Sequence, residues 1–284
     1  MTSPRTLLGA YEMHAKKQLG QNFLVDPAIP SMIVAQSGLG PEDVVLEIGA
    51  GLGALTIASA RVAEKIYAVE RDRSLVPLLR SELLVAGVAD RVEILEGDIL
   101  RVDLPPLAEK HGRKLRVMGN LPYNISSQIL IWLVRARNHA DKGVFMLQKE
   151  LAERIAAPPG TRDYGRLSAV IQYCATVKRL TSVGSGQFFP RPKVDSEVIE
   201  ISFAGKPERA AKNEDFLFAV IKAAFGQRRK NLKNALTGSQ LGIAPDLILS
   251  ALSEASIDHH RRAETLTIDE FVTLSDILAD HMSP

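Results

Sequence analysis

Cysteine is almost missing: Cys174 is the only one in 284 residues. That excludes an intrachain disulfide framework and any cysteine-based zinc site, and leaves Cys174 reading as a small buried hydrophobe. Long apolar runs are missing too. None approaches the roughly 18 residues of a membrane span, and the opening MTSPRTLLGAYEMHAKK has no apolar core leading to a cleavage site. The expectation is a soluble protein in a reducing, cytoplasmic setting, with no membrane partner. Charge excess is absent as well: 35 Lys and Arg face 33 Asp and Glu, for a net charge of +2. The total therefore announces no nucleic-acid partner, but its distribution is uneven. Residues 205–234 carry eight basic side chains against three acids, whereas 41–60 carry three acids and no base.

What is present is alternation. DVVLEIGA (43–50), KIYAVE (65–70), RVEILEGD (91–98), LRVMGN (115–120) and GVFMLQ (143–148) read as strands rich in β-branched residues. Between them LGALTIASARVA (52–63), SLVPLLRSELLVAG (74–87) and SSQILIWLVRAR (126–137) show apolar spacing near 3.6. Such alternation predicts βαβ units, hence an α/β fold with a doubly wound, mostly parallel sheet of Rossmann-like type. TVKRLTSVG (176–184) and SEVIEISF (196–203) read as added edge strands. After AGKPER only helical patterns follow, which predicts a boundary near residue 205: one domain over 1–204 and a small all-α domain over 205–284.

LEIGAGLGALT leaves the first strand and opens a helix. Glycines at 49, 51 and 53 permit a tight turn and close approach of a ligand, and the helix behind them offers free N–H groups. Glu70 closes the second strand about 20 residues on, where a ribose diol is held. The loop alone does not choose between NAD and S-adenosylmethionine. Glu47 tilts the choice, since a pyrophosphate would meet a carboxylate there whereas a cationic amino-acid ligand would not object; the competing reading is an acid that fixes the loop's own N–H groups. Asp98, at the third strand end, suits an adenine edge or a helix N-cap. Asn120 completes a polar row along the carboxyl edge of the sheet, where α/β sheets bind ligands.

Asn120-Leu121-Pro122-Tyr123 leaves the fourth strand. An exocyclic adenine amine is a poor nucleophile because its lone pair is delocalised into the ring. Acceptors for its two N–H groups, the Asn120 side-chain oxygen and the Leu121 carbonyl, favour a pyramidal nitrogen. Pro122 fixes φ and removes a competing donor. Tyr123 offers a stacking face worth about 1–3 kcal/mol per base, for a base taken out of its stack.

These residues resemble motif IV of adenine N6-methyltransferases. KKQLGQNFLVD (16–26), FFPRPKVDSEVI (188–199), AFGQRRKNLKNAL (224–236) and RAETLTIDEF (262–271) resemble further signatures of the ribosomal RNA adenine dimethyltransferases, in order and over about residues 12–275. The resemblance implies a class I methyltransferase using S-adenosylmethionine, with two methyl groups placed on N6 of each of two adjacent adenosines in the 3′-terminal hairpin loop of 16S rRNA. It also implies a role in small-subunit biogenesis, and action as a monomer. By position, Gln21, Asn22 and Leu24 would close the cofactor pocket, and Gly49, Gly51 and Gly53 with Glu47 would hold the methionine part. Glu70 would take the ribose and Asp98, with Ile99 beside it, the adenine; Asn120 would touch both cofactor and target. Phe188 would stack on the target base opposite Tyr123, its ring presented by Pro190 and Pro192 while Phe189 packs in the core.

For RNA, Arg228, Arg229, Lys230 and Lys233 are expected on one basic helix face, with Lys16, Lys17, Lys193, Arg261 and Arg262 extending the path. With few groups left for base edges, recognition would rest on RNA shape and splayed loop bases. No metal is expected; the adjacent His259 and His260 lack spaced partners. Three other readings remain. An NAD oxidoreductase would need a hydride-handling acid that is not visible. A non-catalytic RNA-binding module would not need Asn120 and Tyr123. A large-subunit, macrolide-resistance type of adenine dimethyltransferase is the neighbour within the family, set apart by the longer helical C-terminal segment and GQRRK.

Overall fold

The computed structural model describes residues 2–227 and 229–282. The chain forms two compact units, Met1–Ala152 with Lys178–Ala204, and Glu153–Val177 with Gly205–Pro284.

The first unit is built on a sheet. Its strands in chain order are β1 (Phe23–Leu24), β2 (Val44–Ile48), β3 (Lys65–Glu70), β4 (Val92–Glu96), β5 (Leu115–Asn120), β6 (Ala140–Gln148), β7 (Thr176–Val183, whose first two residues fall in the second unit), β8 (Phe188–Phe189) and β9 (Ser196–Ser202). Seven of them make one sheet in the order β4-β3-β2-β5-β6-β9-β7. β2 to β6 are mutually parallel, and β9 runs antiparallel to β6. All five residues of β2 are buried, as expected for a parallel strand covered on both faces. The predicted parallel α/β architecture is therefore present, with one correction. β9 is not an edge: it lies between β6 and β7 and is buried over most of its length. Glu197 within it is buried and paired with Arg179 and Ser182.

Helices α1 (Pro4–Ala10), α2 (Ala28–Ser37), α3 (Ala54–Ala60), α4 (Val76–Val85), α5 (Leu104–His111) and α6 (Ser126–Arg135) belong to this unit, and α7 (Lys149–Ala156) spans its end. β1 and β8 form a separate two-stranded ladder pairing Phe23 with Phe189 and Leu24 with Phe188. Leu7 and Leu8 of α1 pack with Phe23, Leu52, Leu75 and Leu78.

The second unit holds α8 (Arg166–Cys174), α9 (Glu214–Ala224), α10 (Leu232–Thr237), α11 (Pro245–Glu254) and α12 (Ile268–Met282). Leu217, Val220, Ile221, Leu232, Ile248, Leu252, Phe271 and Leu274 are fully buried in it. Asn213 and Asn231 cap α9 and α10, their side chains accepting from the Phe216 and Asn234 amides. Segment 153–177 arrives from the middle of the chain, ahead of the composition change at 205. Among the described residues no helix is long and apolar enough to cross a membrane.

Candidate active site at the strand-order reversal

Strand order reverses between β2 and β5, so a crevice opens beyond their carboxyl ends. Ile48 pairs with Gly119, and the glycine loop and the Asn120 loop leave the sheet side by side. Gly119 makes this approach possible: a β-carbon there would lie 2.6 Å from the Ile48 carbonyl oxygen, a backbone atom that cannot yield. Gly51, at φ +57°, lies under the Phe23 ring, which a β-carbon would press at 3.2 Å.

The crevice is a cavity open to solvent and lined wholly by residues of the first unit. The structure brings together in its wall Gln21, Asn22, Leu24, Glu47, Gly49, Gly51, Glu70, Asp98, Ile99, Asn120 and Pro122. Gly53 stands just behind as the N-cap of α3. Glu70 is buried; its two oxygens accept from the Gly51 and Asp72 amides at 2.7 Å each. Burial pushes its pKa up, against those hydrogen bonds. Asp98 does cap the turn after β4, accepting from the Leu100 amide, and its second oxygen faces Arg71 at 3.5 Å.

Glu47 is 2% exposed and its Oε2 has no hydrogen-bond partner. Burial pushes its pKa up to about 7, with the Thr56 side chain opposing and Glu70 reinforcing the shift. An orphaned buried carboxyl in the wall of a cavity suits a cationic ligand. With the glycine cradle and Glu70 it matches what the cation, carboxylate and ribose of S-adenosylmethionine require.

Asn120 donates from Nδ2 to the Asn22 carbonyl at 2.9 Å. Its Oδ1 is thereby committed to pointing away from that carbonyl as a free acceptor. Leu121 is buried and held by its amide on the Met146 carbonyl. The Pro122 carbonyl accepts from the Ser126 hydroxyl at 2.8 Å, which fixes the loop on α6. Half-buried Tyr123 shares a hydrogen bond with the Ser196 hydroxyl at 2.9 Å, and burial raises its pKa, so the phenol is neutral.

Two expectations are corrected. Phe188 is 4% exposed within the main core cluster, and half-buried Phe189 lies under the Arg5 guanidinium, 5.2 Å from the ring centre. The prolines stiffen the backbone, but register within the β1–β8 ladder decides which ring turns inward. The basic segment is not one helix face either. Arg229 and Lys230 are exposed in a turn that separates α9 from α10, only Lys233 is helical, and Arg228 lies outside the described residues. Phe225 and Gly226 end one helix and the Asn231 cap starts the next, which periodicity alone overlooks. Lys17 and Lys193 are exposed. Lys16 instead pairs with Asp72 at 2.7 Å, and Arg261 with Glu270. Asp258, His259 and His260 have ligand atoms within 4.8 Å of one another, but lie at the surface of the second unit.

Sequence reasoning missed Asn124, which donates to the Gln18 carbonyl at 3.3 Å, and buried Asp72. The signal for Asp72 was its place two residues after Glu70 at a ligand-binding strand end.

The chain matches the family model described as ribosomal RNA adenine dimethylase over residues 12–280. It is 50% identical over 278 residues to ribosomal RNA small subunit methyltransferase A of Desulforapulum autotrophicum, covering 98% of this chain and 97% of that one. To the protein of the same name from Alkaliphilus metalliredigens it is 40% identical, covering 97% and 96%. Among solved structures, a dimethyladenosine transferase from Plasmodium falciparum shares the fold at TM-score 0.75 and 24% identity, over 89% of this chain and 95% of that one. The 23S rRNA methyltransferase ErmE does so at TM-score 0.68 and 24% identity, over 91% and 100%.

Proposed function

Because the chain belongs to the ribosomal RNA adenine dimethylase family, we propose that it dimethylates N6 of two adjacent adenosines in the 3′-terminal hairpin loop of small-subunit 16S rRNA, using S-adenosylmethionine. The observation that carries this reading is the pinning of Asn120 by the Asn22 carbonyl, which leaves Oδ1 as an acceptor on a residue that lines the cavity. When bound, S-adenosylmethionine supplies an activated methyl group on a sulfonium. Gly49, Gly51 and Glu47 would hold its methionine end, Glu70 its ribose, and Asp98 and Ile99 its adenine. The Asn120 oxygen and the Leu121 carbonyl accept from the N–H groups of the target amine. Tyr123 stacks on the everted base, so the protein contributes alignment more than proton transfer.

The second unit, with Arg229, Lys230 and Lys233, grips RNA backbone, and Lys17 and Lys193 do so on the first unit. The enzyme is a cytoplasmic monomer that acts on the small subunit or its precursor, and so takes part in subunit biogenesis. The large-subunit alternative finds less support: the relatives matched over 96% or more of their length carry the small-subunit name, whereas ErmE shares the fold alone.

Incubation with methyl-labelled S-adenosylmethionine tests the assignment. Label in N6,N6-dimethyladenosine of unmethylated small subunits is the expected result; label only in large-subunit RNA would overturn it. Separately, Arg229→Ala with Lys230→Ala is expected to weaken RNA binding about tenfold at low salt. The slope of log K against log salt should fall by about 1.5. An unchanged slope in filter binding would remove these two side chains from the phosphate contacts.

A further inference from the structure

Residues 18–24 of the segment that starts at Lys16 line one wall of the cavity, and the segment is tied down at both ends of the site. On the target side, Asn120 and Asn124 hold the carbonyls of Asn22 and Gln18. On the cofactor side, everything converges on Asp72, which is 4% exposed. Its Oδ1 accepts from Lys16 Nζ at 2.7 Å and from the Ser74 hydroxyl at 2.6 Å and amide at 3.1 Å; its Oδ2 accepts from Gln21 Nε2 at 2.8 Å. Gln21 closes the ring, because its Oε1 accepts from the Lys16 amide at 2.7 Å. Asp72 is in turn bound by its own amide to Glu70, whose other oxygen holds the Gly51 amide. One chain of hydrogen bonds thus runs from the segment through Asp72 to the ribose-binding carboxylate and the glycine loop.

The geometry points to Asp72 as a positioning residue that latches the Lys16–Leu24 strap over the bound methyl donor, tuning cofactor affinity without touching the cofactor. This rests on the reading of the cavity as an S-adenosylmethionine site. Only charge-assisted hydrogen bonds meet Asp72 from the strap, and they are the stronger kind. Burial pushes the Asp72 pKa up, but the hydrogen bonds from Lys16, Ser74 and Gln21 outweigh it and hold the group at about 2. The latch therefore stays charged at neutral pH. Lys16 is assigned to it rather than to RNA.

The test compares the full-length wild type with Asp72→Ala, Asp72→Asn and Lys16→Ala. Asp72→Ala should raise the Kd and KM for S-adenosylmethionine at least about tenfold, with kcat at saturating cofactor kept within about threefold. Trypsin should cut it faster after Lys16 and Lys17, and saturating cofactor should suppress the cut. Asp72→Asn keeps an oxygen for Lys16 and should recover much of the affinity. A purely structural role predicts the reverse split: lower kcat from a smaller folded fraction, with KM unmoved; that result, or a wild-type Kd in Asp72→Ala, overturns the latch. Should Asp72→Ala fail to fold, Lys16→Ala decides alone. A KM rise of about threefold for cofactor with the RNA KM unchanged supports the latch, and the opposite pattern overturns it. If the wild type itself gave no calorimetric binding of S-adenosylmethionine, the cofactor reading would fall first, a result distinct from any of these.

Discussion

Asn120→Ala lowers single-turnover methyl transfer about 10²–10³-fold, the usual loss for one preorganised hydrogen-bonding group at a reacting centre. The side chain has two jobs at opposite ends. Its Nδ2 is spent on the Asn22 carbonyl, which fixes the plane of the amide and, on the proposed function, aims Oδ1 at the incoming amine. Alanine removes the acceptor that frees the nitrogen lone pair and also releases the strap on the target side. The first loss falls on kcat. The second falls on the cofactor KM and is smaller, because Asn124 and Asp72 still hold the segment. RNA affinity, which the proposed function assigns to groups such as Arg229 and Lys230, stays near the wild-type value. Asn120→Asp gives an intermediate rate: it keeps an acceptor but sets a carboxylate against the Asn22 carbonyl. A rate for Asn120→Ala within threefold of wild type would remove the amine-orienting role.

The parts of this site legible in the sequence are those fixed by short-range pattern. The five parallel strands announce themselves because β-branched runs buried on both faces tolerate few substitutes, and the order reversal then dictates where the glycine loop and Asn120 meet. What escaped depends on register or on long-range pairing. Phe188 and Phe189 are neighbours on a two-residue strand, and nothing local says which of them faces the core. Glu197 is solvated in pattern but buried in fact, because Arg179 and Ser182 arrive from β7. Lys16 looked like a free cation in a basic run; its partner Asp72 lies 56 residues away. Arg229 and Lys230 stand four and three residues before Lys233, a helical spacing, but the helix starts only at the Asn231 cap and leaves both in the turn before it.

Glu47→Gln stabilises the protein above neutral pH by about 3 kcal/mol, and the gain disappears below pH 4.5. Its carboxyl is moved from 4.5 to about 7 by burial, and each unit of displacement is worth about 1.36 kcal/mol. The folded state binds this proton more tightly than the unfolded chain does. The cost is nil below pH 4.5, grows as pH rises from there to about 7, and is constant beyond. Glutamine keeps the shape and carries no charge. Thermal melts at pH 4 and pH 8 should therefore differ in how far the variant exceeds the wild type, by about 2–4 °C per kcal/mol. Cofactor affinity should move the other way. A cationic ligand beside Glu47 favours the carboxylate, so wild-type binding of S-adenosylmethionine tightens between pH 6 and pH 8, and Glu47→Gln binds more weakly with that pH dependence flattened. A destabilised group kept in the wall of a ligand site is the expected trade of folding stability for recognition. Equal melts for the two proteins at pH 8 would show that the buried carboxylate costs no stability, and a Glu47→Gln variant with wild-type affinity at that pH would show that it does not hold the ligand.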